Sequence, residues 1–266
     1  QTLRFGDVSV SLHPAGHILG SAQIRVEHAG RVWVISGDFK RDADPTCAPF
    51  EVVPCDTFIT EATFAYPVYR WPLARDVAGE IHTWWQQCAA EDRPAVLFSY
   101  ALGKAQRILA ELTHHTDEPV LLHGAMVDLV RIYREAGVDM LPTTPVADLG
   151  RKSDFAGRLV LAPPSAAGSK WLRRFKKAST GFASGWMQIR GNRRRRGYDR
   201  GFVISDHADW DSLIHSIDEC GAKQVLATHG DTDILVRHLL ERGIEARPLR
   251  APYGDEEDAG FDQELE

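Results

Sequence analysis

Cysteine is scarce in this sequence, and long apolar runs are missing. The chain has four cysteines among 266 residues, and no two of them form a C-x-x-C pair, so no disulfide framework is indicated. No apolar run approaches the roughly 18 to 20 residues that a membrane-spanning helix needs. The first ten residues lack the basic-then-apolar layout of a signal peptide. We therefore expect a soluble, cytoplasmic protein without membrane contact, whose reduced cysteines serve as packing residues.

The composition is that of a globular protein with an uneven distribution of charge. Hydrophobic residues make up 44% of the chain and charged residues 26%, which excludes disordered, collagen-like and coiled-coil proteins and indicates one or two domains. The net charge of −6 argues against a uniformly basic nucleic-acid-binding surface. However, between Lys170 and Arg200 the chain has eleven basic residues, and Asp199 is the only acid among them. This basic segment is a candidate contact for a polyanion, although such a run is more often a solvated face.

The predicted elements change in character twice along the chain. Residues 8–12, 23–28, 31–36 and 56–62 read as strands. After the proline-bounded stretch 67–72, amphipathic helices alternate with short apolar strands, which favours a mostly parallel sheet; one short helix is predicted over 169–175. Near residue 200 the pattern changes again, and the chain ends with a helix, a strand and a helix. We interpret this order as one domain interrupted by another.

Five ionisable residues stand at or just after the ends of predicted strands. They are His17, Asp38, Glu61, His207 and His229. Loops at strand ends present side chains to a common rim, and histidine with aspartate suits a divalent metal such as zinc. Each residue taken alone is more often an ordinary surface or hydrogen-bonded side chain.

The order of several short motifs resembles a known family. HPAGHILGSA, SGDF, ITEATF, SYALGKAQ, SGWM, SDHADW and THGD occur in this order between about residues 10 and 250. They resemble the metallo-β-lactamase superfamily in its β-CASP nuclease branch, which includes ribonuclease J and the endonuclease of the cleavage and polyadenylation machinery. The stretches PVYRWP and GYDRGF most resemble the bacterial ligase-associated DNA exonucleases.

This resemblance implies an α/β fold, the αββα sandwich of the metallo-β-lactamases, interrupted by an inserted β-CASP α/β domain. The implied boundaries are 1–72 for the first part of the sandwich, 73–195 for the insertion and 196–252 for the second part. Residues 253–266 form an acidic tail.

The resemblance also implies a role for each of the five residues. His17 would bind one metal, Asp38 would bridge two zinc ions, and His229 would bind the second ion, with manganese as the alternative metal. His207 would act as general acid, and Glu61 would orient it. Together with Asp38, these two residues form the implied catalytic set.

One diagnostic family motif, HxHxDH, is absent from the 266 residues, and no two histidines have H-x-H spacing. In the family this motif supplies two ligands to each metal, so the present chain would leave both ions with too few ligands. We expect a chain truncated at its N-terminus, without the first strands of the sandwich. Such a fragment should be inactive and should expose a sheet edge and core surface.

The expected function is that of a metal-dependent nuclease that hydrolyses phosphodiester bonds of DNA, as an exonuclease in DNA end processing. DNA is the expected partner, with a DNA ligase and a helicase as further partners. The predicted substrate-binding residues are Lys104, Arg190, Arg193 and Arg194; an exposed lysine at a helix start explains Lys104 equally well. An RNA-processing nuclease and a non-catalytic nucleic-acid-binding scaffold remain as alternatives. A small-molecule hydrolase is disfavoured, because such enzymes lack the inserted domain. The oligomeric state is open.

Overall fold

The computed structural model describes residues 2–150, 153–191 and 197–249. The chain divides into two compact units, and both are discontinuous in sequence. Within the described residues, the first unit comprises 2–43, 47–70 and 207–249, and the second comprises 44–46, 71–150, 153–191 and 197–206. None of the described helices combines the length and the apolar character that crossing a membrane requires.

Strands and helices follow one another in an order close to the predicted one. The strands are β1 (Thr2–Phe5), β2 (Val8–Pro14), β3 (Ala22–His28), β4 (Arg31–Ile35), β5 (Thr57–Glu61), β6 (Ala95–Phe98), β7 (Val120–Leu122), β8 (Thr143–Pro145), β9 (Leu159–Ala162), β10 (Ser179–Ala183), β11 (Arg200–Phe202), β12 (Gln224–Thr228) and β13 (Glu245–Pro248). The α-helices are α1 (Ala74–Ala90), α2 (Lys104–Leu112), α3 (Gly124–Glu135), α4 (Trp210–Cys220) and α5 (Asp233–Glu241). The predicted helix over 169–175 is wrong, because that stretch contains only the 3₁₀ turn Leu172–Arg174.

The first unit is built on a seven-stranded sheet in the order β1-β2-β3-β4-β5-β12-β13. Strands β1 to β4 form an antiparallel meander, whereas β4, β5, β12 and β13 run parallel. One face of this sheet forms a common core with α4 and α5, to which Val34, Phe58, Leu213 and Leu235 belong. Burial of these side chains is the main contribution to the stability of the unit.

The other face of the meander is apolar and partly exposed. In the register, Leu3 pairs with Val10, and Leu12 pairs with Ile24. Side chains alternate between faces along a strand, so these residues share one face with Phe5. Leu3, Phe5, Leu12 and Ile24 are 51%, 64%, 62% and 41% exposed. This face therefore leaves apolar sheet surface exposed in the described structure.

The second unit is built on a six-stranded, fully parallel sheet in the order β11-β10-β6-β9-β7-β8. Its central strands β6 and β9 are buried on both faces, as is usual in parallel sheets. Trp84 of α1 packs closely over Gly181 of β10, where a Cβ would lie 3.0 Å from the indole. The predicted alternation of strands and helices around a mostly parallel sheet is thus confirmed.

Candidate metal and hydrolytic site

The five ionisable residues at the predicted strand ends all belong to the first unit. Asp38 lies three residues beyond β4, Glu61 is the last residue of β5, and His229 directly follows β12. These three strands are parallel neighbours, so their carboxyl ends meet at one edge of the sheet. His17 follows β2, and His207 lies between β11 and α4.

Backbone hydrogen bonds draw three of the loops together. The amide of Lys40 donates to the carbonyl of Ala15 (3.1 Å), and the amide of Ala208 donates to the carbonyl of Phe39 (2.6 Å). Gly16 has a φ of +71°, and a Cβ there would lie 2.2 Å from the carbonyl oxygen of Lys40. Because only glycine tolerates this approach, the loop with His17 can lie directly against the loop with Asp38.

His17, Asp38 and His207 form the one group of possible metal ligands found among the described residues. One ligand atom from each lies within 4.8 Å of the others. His17 Nε2 is 3.8 Å from Asp38 Oδ2, and His207 Nδ1 is 4.0 Å from Asp38 Oδ1. The ring centroids of the two histidines are 4.8 Å apart. Ligands of a tetrahedral zinc ion are about 3.4 Å apart, given metal–ligand distances of about 2.1 Å. His17 and Asp38 can therefore bind one divalent ion with small side-chain adjustments, and the His207 ring lies beside them.

Glu61 connects His207 to the backbone of the Asp38 loop. Its side chain is buried, its Oε1 accepts a hydrogen bond from the amide of Phe39 (2.8 Å), and its Oε2 lies 2.9 Å from His207 Nδ1. A carboxylate accepts, so Nδ1 donates in this contact. The Glu61–His207 contact therefore fixes the orientation of the imidazole ring.

His229 lies outside this group of three ligands. It is exposed and has a φ of 56°, and its carbonyl accepts a hydrogen bond from the amide of Ala62, 2.9 Å away. The next residue, Gly230, has no room for a Cβ, which would lie 2.6 Å from the carbonyl oxygen of Ala62. Two residues beyond His229, Asp231 accepts a hydrogen bond from the Tyr66 hydroxyl. The loop is thus held next to the end of β5.

The predicted substrate-binding residues have different environments. Lys104 begins α2, as expected, but its side chain is 3% exposed and its Nζ lies 3.1 Å from Asp206 Oδ2. The interpretation of Lys104 as an exposed helix-start lysine is therefore wrong, and a phosphate would have to compete with a buried carboxylate for its ammonium group. Arg190 is exposed. Arg193 and Arg194 lie outside the described residues.

Comparison with known proteins identifies relatives in bacteria, archaea and eukaryotes. A protein of Opitutus terrae named "Probable DNA ligase" is 35% identical over 248 residues, which cover 90% of this chain and 23% of that protein. An "RNase J-like protein" of Methanocaldococcus jannaschii is 23% identical, covering 48% of this chain and 32% of that protein. "Cleavage and polyadenylation specificity factor subunit 3" of Dictyostelium discoideum is 29% identical, covering 43% and 15%. The chain thus spans at most about a third of the length of these relatives.

Similarity to solved structures concerns the fold alone. A protein of unknown function from Enterococcus faecalis superposes with a TM-score of 0.62 at 11% sequence identity, covering 96% of this chain and 65% of that one. No protein-family model matches the chain. The curated relatives carry the names of the ribonuclease J and cleavage-and-polyadenylation groups that the motif order resembles. These similarities agree with the resemblance of the motif order to the β-CASP branch of the metallo-β-lactamase superfamily.

Proposed function

We propose that this chain is part of a metal-dependent nuclease that hydrolyses phosphodiester bonds of DNA, as an exonuclease in DNA end processing. The observation that carries the proposal is the group of His17, Asp38 and His207, with Glu61 behind His207. A DNA substrate and a partnership with a ligase are supported by the similarity to the protein named "Probable DNA ligase". A helicase partner and a cytoplasmic location are parts of the same proposal.

The proposed domain organisation follows the family. Residues 1–72 and 196–252 would form the metallo-β-lactamase sandwich, and residues 73–195 the β-CASP insertion. The existence of a second unit with its own parallel sheet, entered and left through the first unit, supports this assignment. The acidic tail 253–266 lies outside the described residues.

His17 and Asp38 are the residues that would hold a divalent ion, because both present ligand atoms and neither is fully buried. A bound zinc or manganese ion would supply activation of water and neutralisation of charge on the phosphoryl oxygens. A second zinc ion, with Asp38 as the bridging ligand and His229 as its own, rests on the family resemblance. The described residues fit one ion.

His207 would donate the proton that the leaving sugar oxygen requires. Glu61 holds the Nδ1 side of the ring, so the Nε2 side is directed away from the carboxylate. The family resemblance implies that one product would carry a 3′-hydroxyl and the other a 5′-phosphate. Asp38 would hold its position at the metal through the backbone contacts of its own loop.

Basic side chains of the second unit would bind the DNA backbone. Arg190 is exposed, and so are Lys170, Arg173, Lys176 and Lys177. Binding through such contacts should weaken steeply with salt, since each phosphate contact releases counterions. Arg193 and Arg194 belong to the same sequence run and to the same proposal. Lys104 is a weaker candidate for this role because of its pairing with Asp206.

The test compares metal binding and cleavage in the complete natural protein that contains this chain. End-labelled single-stranded DNA and RNA of one sequence serve as substrates, and metal content is measured by elemental analysis. His207→Gln should reduce cleavage of DNA about 10²- to 10⁴-fold, the usual contribution of a general acid. Asp38→Asn should reduce both metal content and cleavage. His215→Gln, the same substitution at an exposed position of α4, is the control.

Three results would count against the proposal. Cleavage that survives His207→Gln at full rate would remove the assigned acid. Preferential cleavage of RNA would favour the RNA-processing alternative, which the similarity to the RNase J-like protein supports. Binding of DNA without metal and without cleavage would favour the scaffold alternative.

A further inference from the structure

Helix α2 has two buried cations, Lys104 and Arg107, and each is 2% exposed as a residue. Lys104 Nζ lies 3.1 Å from Asp206 Oδ2, and both side chains are at most 5% exposed. Arg107 Nη1 donates to the carbonyl of Ser205 (2.7 Å), and Arg107 Nε lies 3.4 Å from Asp44 Oδ2. All of these residues belong to the second unit. One turn of helix therefore binds two separate chain segments through charged contacts.

Both segments are close in sequence to residues of the candidate site. Ser205 and Asp206 immediately precede His207, and Asp44 follows Asp38 by six residues. Asp44 is itself fixed, since its Oδ1 accepts hydrogen bonds from the amide and the hydroxyl of Thr46 at 2.8 and 2.6 Å.

A buried ion pair defines geometry more strictly than an exposed one. Separating Lys104 from Asp206 would break a contact between two buried opposite charges, which is strongly unfavourable. A single peptide link joins Asp206 to His207, so a displaced Asp206 would carry the imidazole with it. Errors of about 1 Å in the position of a reacting group lower rates by as much as about 10²-fold.

We propose that Lys104 and Arg107 are positioning residues that fix where His207 enters the candidate site, by holding Ser205 and Asp206. This inference rests on the proposed function for the role of His207. It replaces the phosphate contact predicted for Lys104 with a contact to the protein itself.

The experiment measures the imidazole of His207 by NMR in protein with ¹⁵N-labelled histidine. The His207 signals are assigned by their loss in His207→Gln. Lys104→Met removes the charge at similar length, Lys104→Arg retains it, and Arg107→Lys retains charge but loses the bond to Ser205. We expect Lys104→Met and Arg107→Lys to shift and broaden the His207 signals, and Lys104→Arg to restore them in part. Arg131→Met, which removes the charge of the exposed ion pairs of α3, is the matched control and should leave them unchanged.

Unchanged His207 signals in folded Lys104→Met would overturn the proposal. Should that variant fail to fold, Lys104→Met combined with Asp206→Asn removes both charges and leaves no unpaired ion. Wild-type His207 signals in the double variant would also overturn it.

Affinity for a fluorescent single-stranded DNA separates positioning from substrate binding. Positioning predicts unchanged affinity in Lys104→Met and, where cleavage is measurable, a loss of kcat of about 10²-fold at constant KM. Weaker DNA binding with unchanged His207 signals would assign Lys104 to the phosphate contact instead. Because the NMR readout needs no turnover, a wild-type protein that does not cleave DNA would refute the proposed function without affecting this test.

Discussion

Glu61 uses its two carboxylate oxygens for two different parts of the candidate site. One accepts the Phe39 amide, and the other contacts His207 Nδ1. Glu61→Gln keeps the size of the side chain but replaces one acceptor with a donor, so one of the two N–H groups must face another donor. We expect metal affinity or cleavage to fall about 10- to 100-fold, as is usual when an outer-shell partner of a site histidine is lost. Metal titration and cleavage of labelled DNA measure the two effects.

Glu51 offers a matched control for this substitution. It forms a carboxylate–histidine pair of the same length, 2.9 Å with His13 Nδ1, but it is half exposed. Glu51→Gln should change neither measurement, because exposed pairs of this kind contribute little. Equal effects of the two substitutions would show that Glu61 acts only through the stability of the fold.

The sequence identified the site residues better than it identified their partners. His17, Asp38 and His207 stand beside strand ends in recognisable motifs, and the structure brings these three together. Glu61 also accepts a hydrogen bond from the backbone amide of Phe39, and no sequence motif reveals this contact. The pairing of Lys104 with Asp206 was equally hidden, because the two residues are 102 positions apart in the sequence and only tertiary structure brings them into contact.

At the scale of single elements, helix α3 has a titratable N-cap. His123 Nδ1 accepts a hydrogen bond from the amide of Ala125 (3.1 Å), which only the neutral ring can do. Burial lowers the pKa of His123 below its ordinary value of 6.5. The neutral form is therefore favoured in the folded state. The contribution of this cap to the free energy of unfolding is complete above pH 6.5 and is lost as the pH falls through the lowered pKa of His123.

Replacing His123 with asparagine tests this dependence. Asparagine is a good N-cap that does not titrate, so His123→Asn should become more stable relative to the wild type as the pH falls below 6.5. His123→Ala should cost about 0.5 to 2 kcal/mol at pH 8, the usual effect of losing a cap. Urea unfolding at a series of pH values measures both variants. A constant difference between wild type and His123→Asn from pH 8 to pH 5 would exclude a titrating cap.

Elements with a clear period or a continuous apolar run were predictable, and several elements without such a pattern were not. Helices α1, α2 and α3 and strands β2 to β5 follow the amphipathic or alternating patterns of the sequence. The composition of residues 169–175 favours a helix. In the structure, Trp171 and Phe175 pack into the core of the second unit on either side of a single 3₁₀ turn. Strands β8 and β11 have three residues each, and their pairing depends on neighbours distant in sequence.

At the scale of the whole molecule, the order of segments along the chain differs from their division between the two compact units. Asp44–Thr46 belongs to the second unit although the residues on both sides of it belong to the first. Periodicity and composition indicated one domain interrupted by another. They do not show that three residues within a segment of the first unit belong to the second unit. The buried contact between Asp44 and Arg107 of α2 connects this short segment to the second unit.

The exposed apolar face of the first unit predicts self-association of this chain in solution. Leu3, Phe5, Leu12 and Ile24 form a contiguous surface on β1 to β3, and large exposed apolar patches promote association. Strand β1 also lies at an edge of its sheet, where further strands can pair. Phe5→Lys and Leu12→Lys together should raise the monomer fraction in sedimentation velocity at micromolar concentrations, because burying a lysine ammonium between faces is unfavourable.

Leu240→Lys, at a similarly exposed position of α5, makes the same kind of change off this face and should leave the distribution unaltered. If Leu240→Lys is as effective as the double variant, net charge rather than the apolar face controls association.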